Sequence, residues 1–370
     1  MRKIKQFIEQ ETVMTIALLL AVVSCVAVQP HWSAVAESID FRVLAILLSL
    51  MMVVAGLQKI GLFDYIGIQL LIRVKGTKSL VMSLVMLCFF LSMLFTNDVA
   101  LITFVPFAIF VLEKSGHREL MVQTIVFQTV AANLGSMLTP IGNPQNLYIY
   151  NYYGFTPGEF METMIPYAAA AFLLLSVLIL IGKKEEVRLG WTDFEKVHLD
   201  KKQLVIYGVL FAVSLLAVAN ILHYYIVLAA VAVTILVVDR SILPKVDYCL
   251  IFTFIFFFIF IGNMGNIEMV REILAQFIQG NEVLVSIIAS QSISNVPATL
   301  LLAEFTDNAR ELLVGVNLGG LGTLIASMAS LISYKAFAHK FNEEKGRYLL
   351  WFTVINLLFL AVMCGLRMVI

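Results

Sequence analysis

Apolar residues in this chain come in long runs, broken by few and short polar interruptions. Several runs approach the roughly 20 residues that an α-helix needs to cross a bilayer. Hydropathy and helix breakers together predict full spans at 12–28, 41–57, 121–150, 162–182, 202–219, 222–239, 247–263, 309–335 and 347–368. Two more apolar stretches, 79–112 and 282–305, fold at a polar midpoint, and each reads as one re-entrant hairpin or two spans. In the first, Thr96-Asn97-Asp98 separates the arms Leu80 to Phe95 and Val99 to Leu112, neither of which holds a charge. An aspartate at a helix centre costs roughly 2.5–3.5 kcal/mol on insertion scales, so it faces a protein interior or a water-filled cavity. Ser294-Asn295 is the corresponding break in the second stretch.

Basic residues set the orientation, because cytoplasmic loops are enriched in Lys and Arg. Arg2, Lys3 and Lys5 precede the first span, whereas 29–40 has neither residue type. Lys59, Arg73, Lys75 and Lys78 precede stretch 79–112, and Lys114 and Arg118 follow it. That stretch therefore enters and leaves on the cytoplasmic side. Segment 151–161 lacks basic residues and lies outside, and Lys183, Lys184, Arg188, Lys196, Lys201 and Lys202 put the next loop inside. Arg240 and Lys245 are inside, 264–281 with only Arg271 is outside, and Lys335, Lys340, Lys345 and Arg347 are inside. Stretch 282–305 is then a hairpin entering from outside. The expected result is an all-α polytopic protein of the cell (plasma or inner) membrane, with nine spans, two opposed hairpins, N-terminus in and C-terminus out. No small-residue cleavage site follows Thr12–Val28, which reads as a retained span.

The chain also repeats itself weakly. Asn133, Leu134, Gly135, Thr139, Ile141, Leu147 and Tyr150 match Asn317, Leu318, Gly319, Thr323, Ile325, Leu331 and Tyr334 at a constant offset of 184. Thr96-Asn97 corresponds to Ser294-Asn295 at offset 198, and Gly56 to Gly262 at offset 206. Repeat one covers 10–182, with hairpin 79–112 and broken helix 121–150. A cytoplasmic loop and linking span fill 183–221. Repeat two covers 222–370, with hairpin 282–305 and broken helix 309–335. The linking span inverts the second repeat, an arrangement that builds a site usable from either side in many secondary transporters.

Composition narrows the reading further. Of 370 residues, 61% are hydrophobic and 14% charged, against about a quarter charged in soluble domains. Basic and acidic residues balance at 25 each, which leaves no footprint for nucleic acid. The cysteines Cys25, Cys88, Cys249 and Cys364 lie in apolar segments without a CxxC motif and read as packing residues. The histidines, in or beside loops, never pair at ligand spacing, so no zinc-type or other transition-metal centre and no organic cofactor is expected.

Four segments should meet at mid-depth: Thr96 to Asp98, Thr139 to Asn146, Ser294-Asn295 and Thr323 to Ser330. Segment 139–146 reads Thr-Pro-Ile-Gly-Asn-Pro-Gln-Asn, and two prolines and a glycine break a helix by removing donors and relaxing dihedrals. Irregular backbone at that depth is tolerated only inside protein or against a water-filled cavity. It frees carbonyls for a cation such as sodium, while helix N-termini offer N–H groups to an anion. With no Lys or Arg central in any span, a small anionic substrate would be held by helix ends and by Asn, Thr and Ser, with a co-bound cation. Plainer readings compete: Thr96 to Asp98 and Ser294-Asn295 as helix caps, the proline–glycine cluster as a kink, Gly315 and Gly319 as a close-packing pair, Glu304 and Asp307 as rim residues, and the phenylalanines of 252–260 as lipid-facing or packing groups.

Asn97-Asp98 followed by Ala100-Leu101 and Pro106 resembles the hairpin motif of arsenite permeases. Thr139 to Asn146 is similar to the Thr-Pro-x-Gly-x-Pro-x-Asn signature of divalent anion:sodium symporters, and Gly319-Gly320 through Thr323-Leu324-Ile325 is closer to the arsenite and antiporter branch. Over nearly its whole length the chain thus resembles the ion transporter superfamily, which also holds citrate–metal transporters and sodium/proton antiporters. The resemblance implies an elevator-type secondary transporter, often a homodimer, with two cation sites at hairpin tips and substrate between them. Carried over, site one is Thr96, Asn97, Asp98, Thr139, Gly142 and Asn143, and site two is Ser294, Asn295, Thr323 and Ser327. Substrate would lie among Asn97, Asp98, Asn143, Pro144, Gln145, Asn146, Asn295 and Thr323. Two features depart from the symporter pattern: repeat two has Ala326-Ser327-Met328-Ala329-Ser330 in place of the proline-rich signature, and Asp98 stands where those symporters have an uncharged residue, which admits proton coupling.

The expectation is transport of a small anion, a di- or tricarboxylate such as citrate or succinate, coupled to sodium or protons. Sodium/proton antiport or arsenite efflux is the alternative. An intramembrane enzyme would rest on Asp98 with Glu304, but no nucleophile–base pair or metal triad supports it. A passive channel explains inverted hairpins less well than alternating access.

Overall fold

The computed structural model describes residues 11–72, 74–182, 184–187, 199–265 and 267–370. Arg2, Lys3, Lys5, Arg73, Lys183, Arg188 and Lys196, and the side chain of Arg271, on which part of the orientation argument rests, lie outside the described residues.

Among the described residues the regular elements are all helices, apart from one isolated bridge between Gly76 and Glu186. The first half holds α1 (Thr12–Val28), α2 (Phe41–Lys59), α3 (Leu62–Leu71), α4 (Thr77–Leu94), α5 (Asn97–Lys114), α6 (Met121–Ser136), α7 (Pro144–Tyr152) and α8 (Pro157–Ile181). A linking helix, α9 (Lys201–Val218), follows. The second half holds α10 (Tyr224–Val238), α11 (Tyr248–Gly265), α12 (Glu268–Ile278), α13 (Glu282–Ile293), α14 (Asn295–Ala303), α15 (Ala309–Leu318), α16 (Met328–Lys340) and α17 (Lys345–Arg367). Six helical segments are long and apolar enough to cross a membrane: α2, α4, α8, α9, α11 and the stretch Asn342–Arg367 that contains α17.

Helix ends follow local chemistry. Asp40 starts α2 by accepting from the N–H groups of Arg42 and Val43, both at 3.0 Å. Thr156, Pro157 and Glu159 start α8 with a reciprocal capping box, which satisfies donors that a helix N-terminus otherwise leaves free. The stretch 121–150, expected as one span, is interrupted between α6 and α7, and the stretch 309–335 between α15 and α16. Prolines make the first break. Glycine makes the second, where Gly322 at φ +107° passes so close to Gln291 that a Cβ would lie 2.5 Å from its Oε1.

The two hairpins differ in size. Each arm of α4–α5 has 18 residues, about 27 Å at the helical rise. The arms α13 and α14 have 12 and 9, about 18 and 14 Å. Gln128 on α6 ties both arms of the first hairpin together, donating to Leu84 O on α4 at 3.1 Å and to Phe104 O on α5 at 3.2 Å. Gly135 and Gly319, equivalent at offset 184, both permit close approach to the first arm of their hairpin: an added Cβ would meet Phe89 O at 2.2 Å and Ser290 Oγ at 2.4 Å. Gly315 also presses on α13 at Val283, so the Gly315 and Gly319 pair serves packing. Contacts between elements recur across the halves. Helix α1 packs on α11 as α10 packs on α2, α4 on α6 as α13 on α15, and α5 on α16 as α14 on α7.

Candidate functional site

The tip of the first hairpin meets the first helix break. Thr96 caps α5, its Oγ1 accepting from Val99 N–H at 3.4 Å, and Asn97 N–H donates to Gly142 O at 3.0 Å. Thr139 Oγ1 donates to Met93 O. Asn143 caps α7 through Asn146 N–H at 2.9 Å, with Pro144 as first helical residue. The carbonyls freed by the break are engaged by the Asn146 amide, which donates to Ser136 O at 3.3 Å, Met137 O at 3.4 Å and Thr139 O at 3.2 Å. The break is thus a folded, internally bonded element.

The second hairpin meets the second break in a different way. Ser294 at its tip has φ +72° without a side-chain cap bond, a conformation costly for a residue with a Cβ. Its Oγ donates to Ala326 O at 3.5 Å. Gln291 stitches the hairpin to the break, donating to Gly319 O at 3.0 Å and Leu321 O at 2.9 Å while accepting from Thr323 N–H at 2.8 Å.

Two asparagines join the halves. Asn133 on α6 accepts from Asn97 Nδ2 and from Ser327 Oγ, both at 3.1 Å, and donates to Ser330 Oγ at 3.3 Å and Gly320 O at 3.5 Å. Asn317 on α15 donates to Asn146 Oδ1 at 2.7 Å and accepts from Asn143 Nδ2 at 3.3 Å. All of these residues are buried. The offset of 184 that relates Asn133 to Asn317 also relates Asn143 to Ser327 and Asn146 to Ser330. Each asparagine therefore grips the break of the other half at equivalent positions. Nothing local marks an asparagine inside an apolar helix as functional, and the repeat match was the available signal for both.

A cavity of about 280 Å³ lies against this cluster. Both hairpins and both breaks reach it, through Asp98, Val296 and Pro297, Pro144 and Met328. The pairs Asp98/Val296 and Pro144/Met328 are equivalent at offsets 198 and 184. Helices α1, α11 and α16 form the remaining wall, with Asp247 and Lys335 among its charged residues and Glu11 beside α1. One carboxylate oxygen of Asp98, Oδ1, is buried with no hydrogen-bond partner among the described residues. An orphaned buried acceptor is expensive, and in a cavity wall it is available to a cation, a proton or a substrate donor.

Of the residues expected in the site, Asn97, Gly142, Asn143, Asn146 and Ser327 belong to the polar cluster, with Thr96 and Thr139 holding the first tip to its break. Asp98 and Pro144 face the cavity, Gln145 is buried on α7, and Ser294 and Asn295 are buried at the second tip. Thr323 is exposed and held by its backbone. Val296, Pro297, Met328, Asp247 and Lys335 join the cavity only through tertiary packing. Glu304 and Asp307 are exposed. Away from the cavity, His117 Nδ1 lies 3.1 Å from Glu119 and 3.7 Å from Glu185.

Comparison with known proteins finds transporters over most of the chain. Residues 8–311 match the family model described as citrate transporter. An uncharacterized transporter of Methanocaldococcus jannaschii is 34% identical over 333 residues, 88% of each chain. The inner membrane protein YbiR of Escherichia coli is 30% identical over 339 residues, 88% of this chain and 89% of that protein. The silicon efflux transporter of Oryza sativa subsp. japonica is 36% identical over 113 residues, 30% of this chain and 23% of that protein.

Proposed function

The chain belongs to the citrate transporter family, and on that premise we propose that it moves a small carboxylate, of the di- or tricarboxylate class, by cation-coupled secondary transport. It is a multi-pass membrane protein whose relatives are transporters. The observation that carries the reading is the cavity that both hairpin tips and both helix breaks reach at equivalent positions. Support for two inverted repeats, about 10–182 and 222–370, comes from the matched order of helices, the recurring packing pairs and the reciprocal grips of Asn133 and Asn317. Broken elements that meet from opposite sides suit alternating access, and we assign an elevator-type motion in which the hairpins and breaks carry the site. In this reading nine full spans flank the hairpins, the cavity mouth by Asp247 and Lys335 faces the cytoplasm, and the protein works in the cell membrane.

The coupling ion is sodium or a proton, and Asp98 is its first candidate partner. Glu11, Asp98 and Asp247 outnumber Lys335 in the cavity wall, so a carboxylate enters only with its charge offset by a cation or proton. The same excess of acidic groups favours a second reading, exchange of sodium for protons or efflux of a neutral oxyacid such as arsenite, and the partial match to a silicon efflux transporter points the same way. Proteoliposome uptake of labelled citrate and succinate, with and without sodium and proton gradients, tests the first reading. Gradient-driven uptake of at least one carboxylate is expected. Gradient-independent or absent uptake across the screen, with a proton flux triggered by sodium or arsenite instead, replaces it with the second.

A further inference from the structure

The cavity beside Asp98 is walled by α11 and α16 among other helices, and the repeat relation says which residues would wall a path on the opposite face. Shifted by 184 residues, the α16 wall residues Leu331, Ile332 and Lys335 become Leu147, Tyr148 and Asn151 on α7. Asp247, which accepts from Leu250 N–H at 3.0 Å to start α11, has its likeness in Asp40, which starts α2. Of these counterparts Leu147 and Tyr148 are sealed in the structure, while Asn151 and Asp40 are half-buried. Helix α7 packs on α2, Leu147 and Tyr148 are 1% and 3% exposed, and the Tyr148 ring centroid sits 5.7 Å from that of Phe258 on α11.

One atom does not fit a permanent seal. Asn151 Nδ2 donates to Leu147 O at 2.8 Å, but its Oδ1 is buried with no hydrogen-bond partner among the described residues. Buried side-chain acceptors are nearly always satisfied in a static interface. A second conformation that brings water or a substrate donor to this oxygen accounts for it, and the repeat relation provides that conformation without further assumption.

Resting on the alternating-access reading above, we propose that Asn151 is a residue of the substrate path, lining its second mouth when the mouth at Lys335 closes. In that state the Asn151 carboxamide takes the place that Lys335 holds now. One mouth then carries an ammonium group beside Asp247 and Glu11, and the other carries a neutral, hydrogen-bonding carboxamide in its place. An anion meets the ammonium on the Lys335 side only, which makes its apparent affinity differ between the two directions.

Thiol accessibility tests this. In protein with Cys25, Cys249 and Cys364 replaced by serine and the fully buried Cys88 kept, Asn151→Cys and Lys335→Cys are reacted in proteoliposomes with a membrane-impermeant maleimide from each side. Moving a minor conformer to dominance raises labelling of Asn151→Cys by about tenfold or more, from the face opposite Lys335→Cys and under the gradient that lowers Lys335→Cys labelling. The near-isosteric Asn151→Asp guards against misfolding of the cysteine variant, and it raises KM for a carboxylate on the Asn151 side only. The proposal is overturned by Asn151→Cys that stays inert in every condition while Lys335→Cys labelling and uptake respond. It is equally overturned by Asn151→Asp with unchanged KM on both sides. Loss of gradient-driven uptake in the unaltered protein instead removes the transport reading itself.

Discussion

Replacing Asp98 with asparagine separates a structural from a coupling role, and the structure fixes the energetic expectation. No side-chain hydrogen bond to the Asp98 carboxylate is found among the described residues; the Asp98 N–H, which donates to Asn97 Oδ1 at 3.0 Å, survives the change. The substitution therefore removes no bond. It does remove a charge that costs up to roughly 3 kcal/mol at a bilayer centre, and less in a hydrated cavity. Asp98→Asn should unfold at the same or a higher temperature, with a gain between zero and about 3 kcal/mol. Its transport should change in one respect: dependence on the sodium or proton gradient flattens, and substrate accumulates only to its equilibrium level. Intrinsic fluorescence during heating in detergent gives the first quantity, and proteoliposome accumulation ratios at several imposed gradients give the second. A variant that accumulates substrate with unchanged dependence on both gradients would refute the coupling role. A clear drop in unfolding temperature would show that the carboxylate is a structural acceptor after all.

Other outcomes follow from the same geometry. Asn133→Ala orphans the buried donors of Asn97 and Ser327 at about 1–3 kcal/mol each, so it should lose roughly 2–5 kcal/mol by thermal unfolding; a loss below 1 kcal/mol would mean the cluster rebonds without it. Gly135→Ala drives a Cβ to 2.2 Å from a backbone oxygen and should cost about 1–3 kcal/mol, whereas Gly158→Ala, with nothing within 4 Å, should be near neutral in the same assay. Lys59 and Ser241 bond the Asp239 carboxylate and hold it below the usual carboxylate range. The link between α2 and the end of α10 is thus intact above the unfolded carboxylate range and is lost as pH falls through the lowered folded value. Between neutral and strongly acidic pH, Asp239→Asn should lose less stability than the unaltered protein; equal losses would assign the acid sensitivity elsewhere.

Much of this architecture is legible in the chain because membrane helices impose a coarse, nearly context-free signal. Charge-free runs and the Thr139 to Asn146 break lie within a few residues of the helix pair α4 and α5 and of the interruption between α6 and α7. Lengths are less legible. The first hairpin runs from Thr77 to Lys114, beyond the expected 79–112, since Gly76, Thr77 and Lys78 can end or extend an apolar helix equally well. The site is legible where irregular backbone marks it, at Asn97, Gly142, Asn143 and Asn146. It is hidden where regular helices contribute single side chains: Asn133, Asn317 and Gln128 have no local signature, and the partners they bridge to on other elements lie 24 to 197 residues away. Thr323 shows the converse, because a motif match placed it in the site whereas only its backbone is held there.

The asymmetry between the halves carries the functional argument further than their likeness does. Equivalent positions bond equivalent partners through Asn133 and Asn317, so the polar frame has two similar faces and could serve either orientation of access. Charge does not follow that symmetry. Asp98 faces the cavity where its counterpart is Val296, and Lys335 faces it where the counterpart on the sealed side is Asn151. A transporter needs the frame to be degenerate so that two conformations have similar energy, and it needs the charges to differ so that an ion gradient can choose between them. Both requirements are met by a handful of residues, which is why single substitutions at Asp98, Lys335 and Asn151 should redirect transport while changes to the asparagine frame should unfold it.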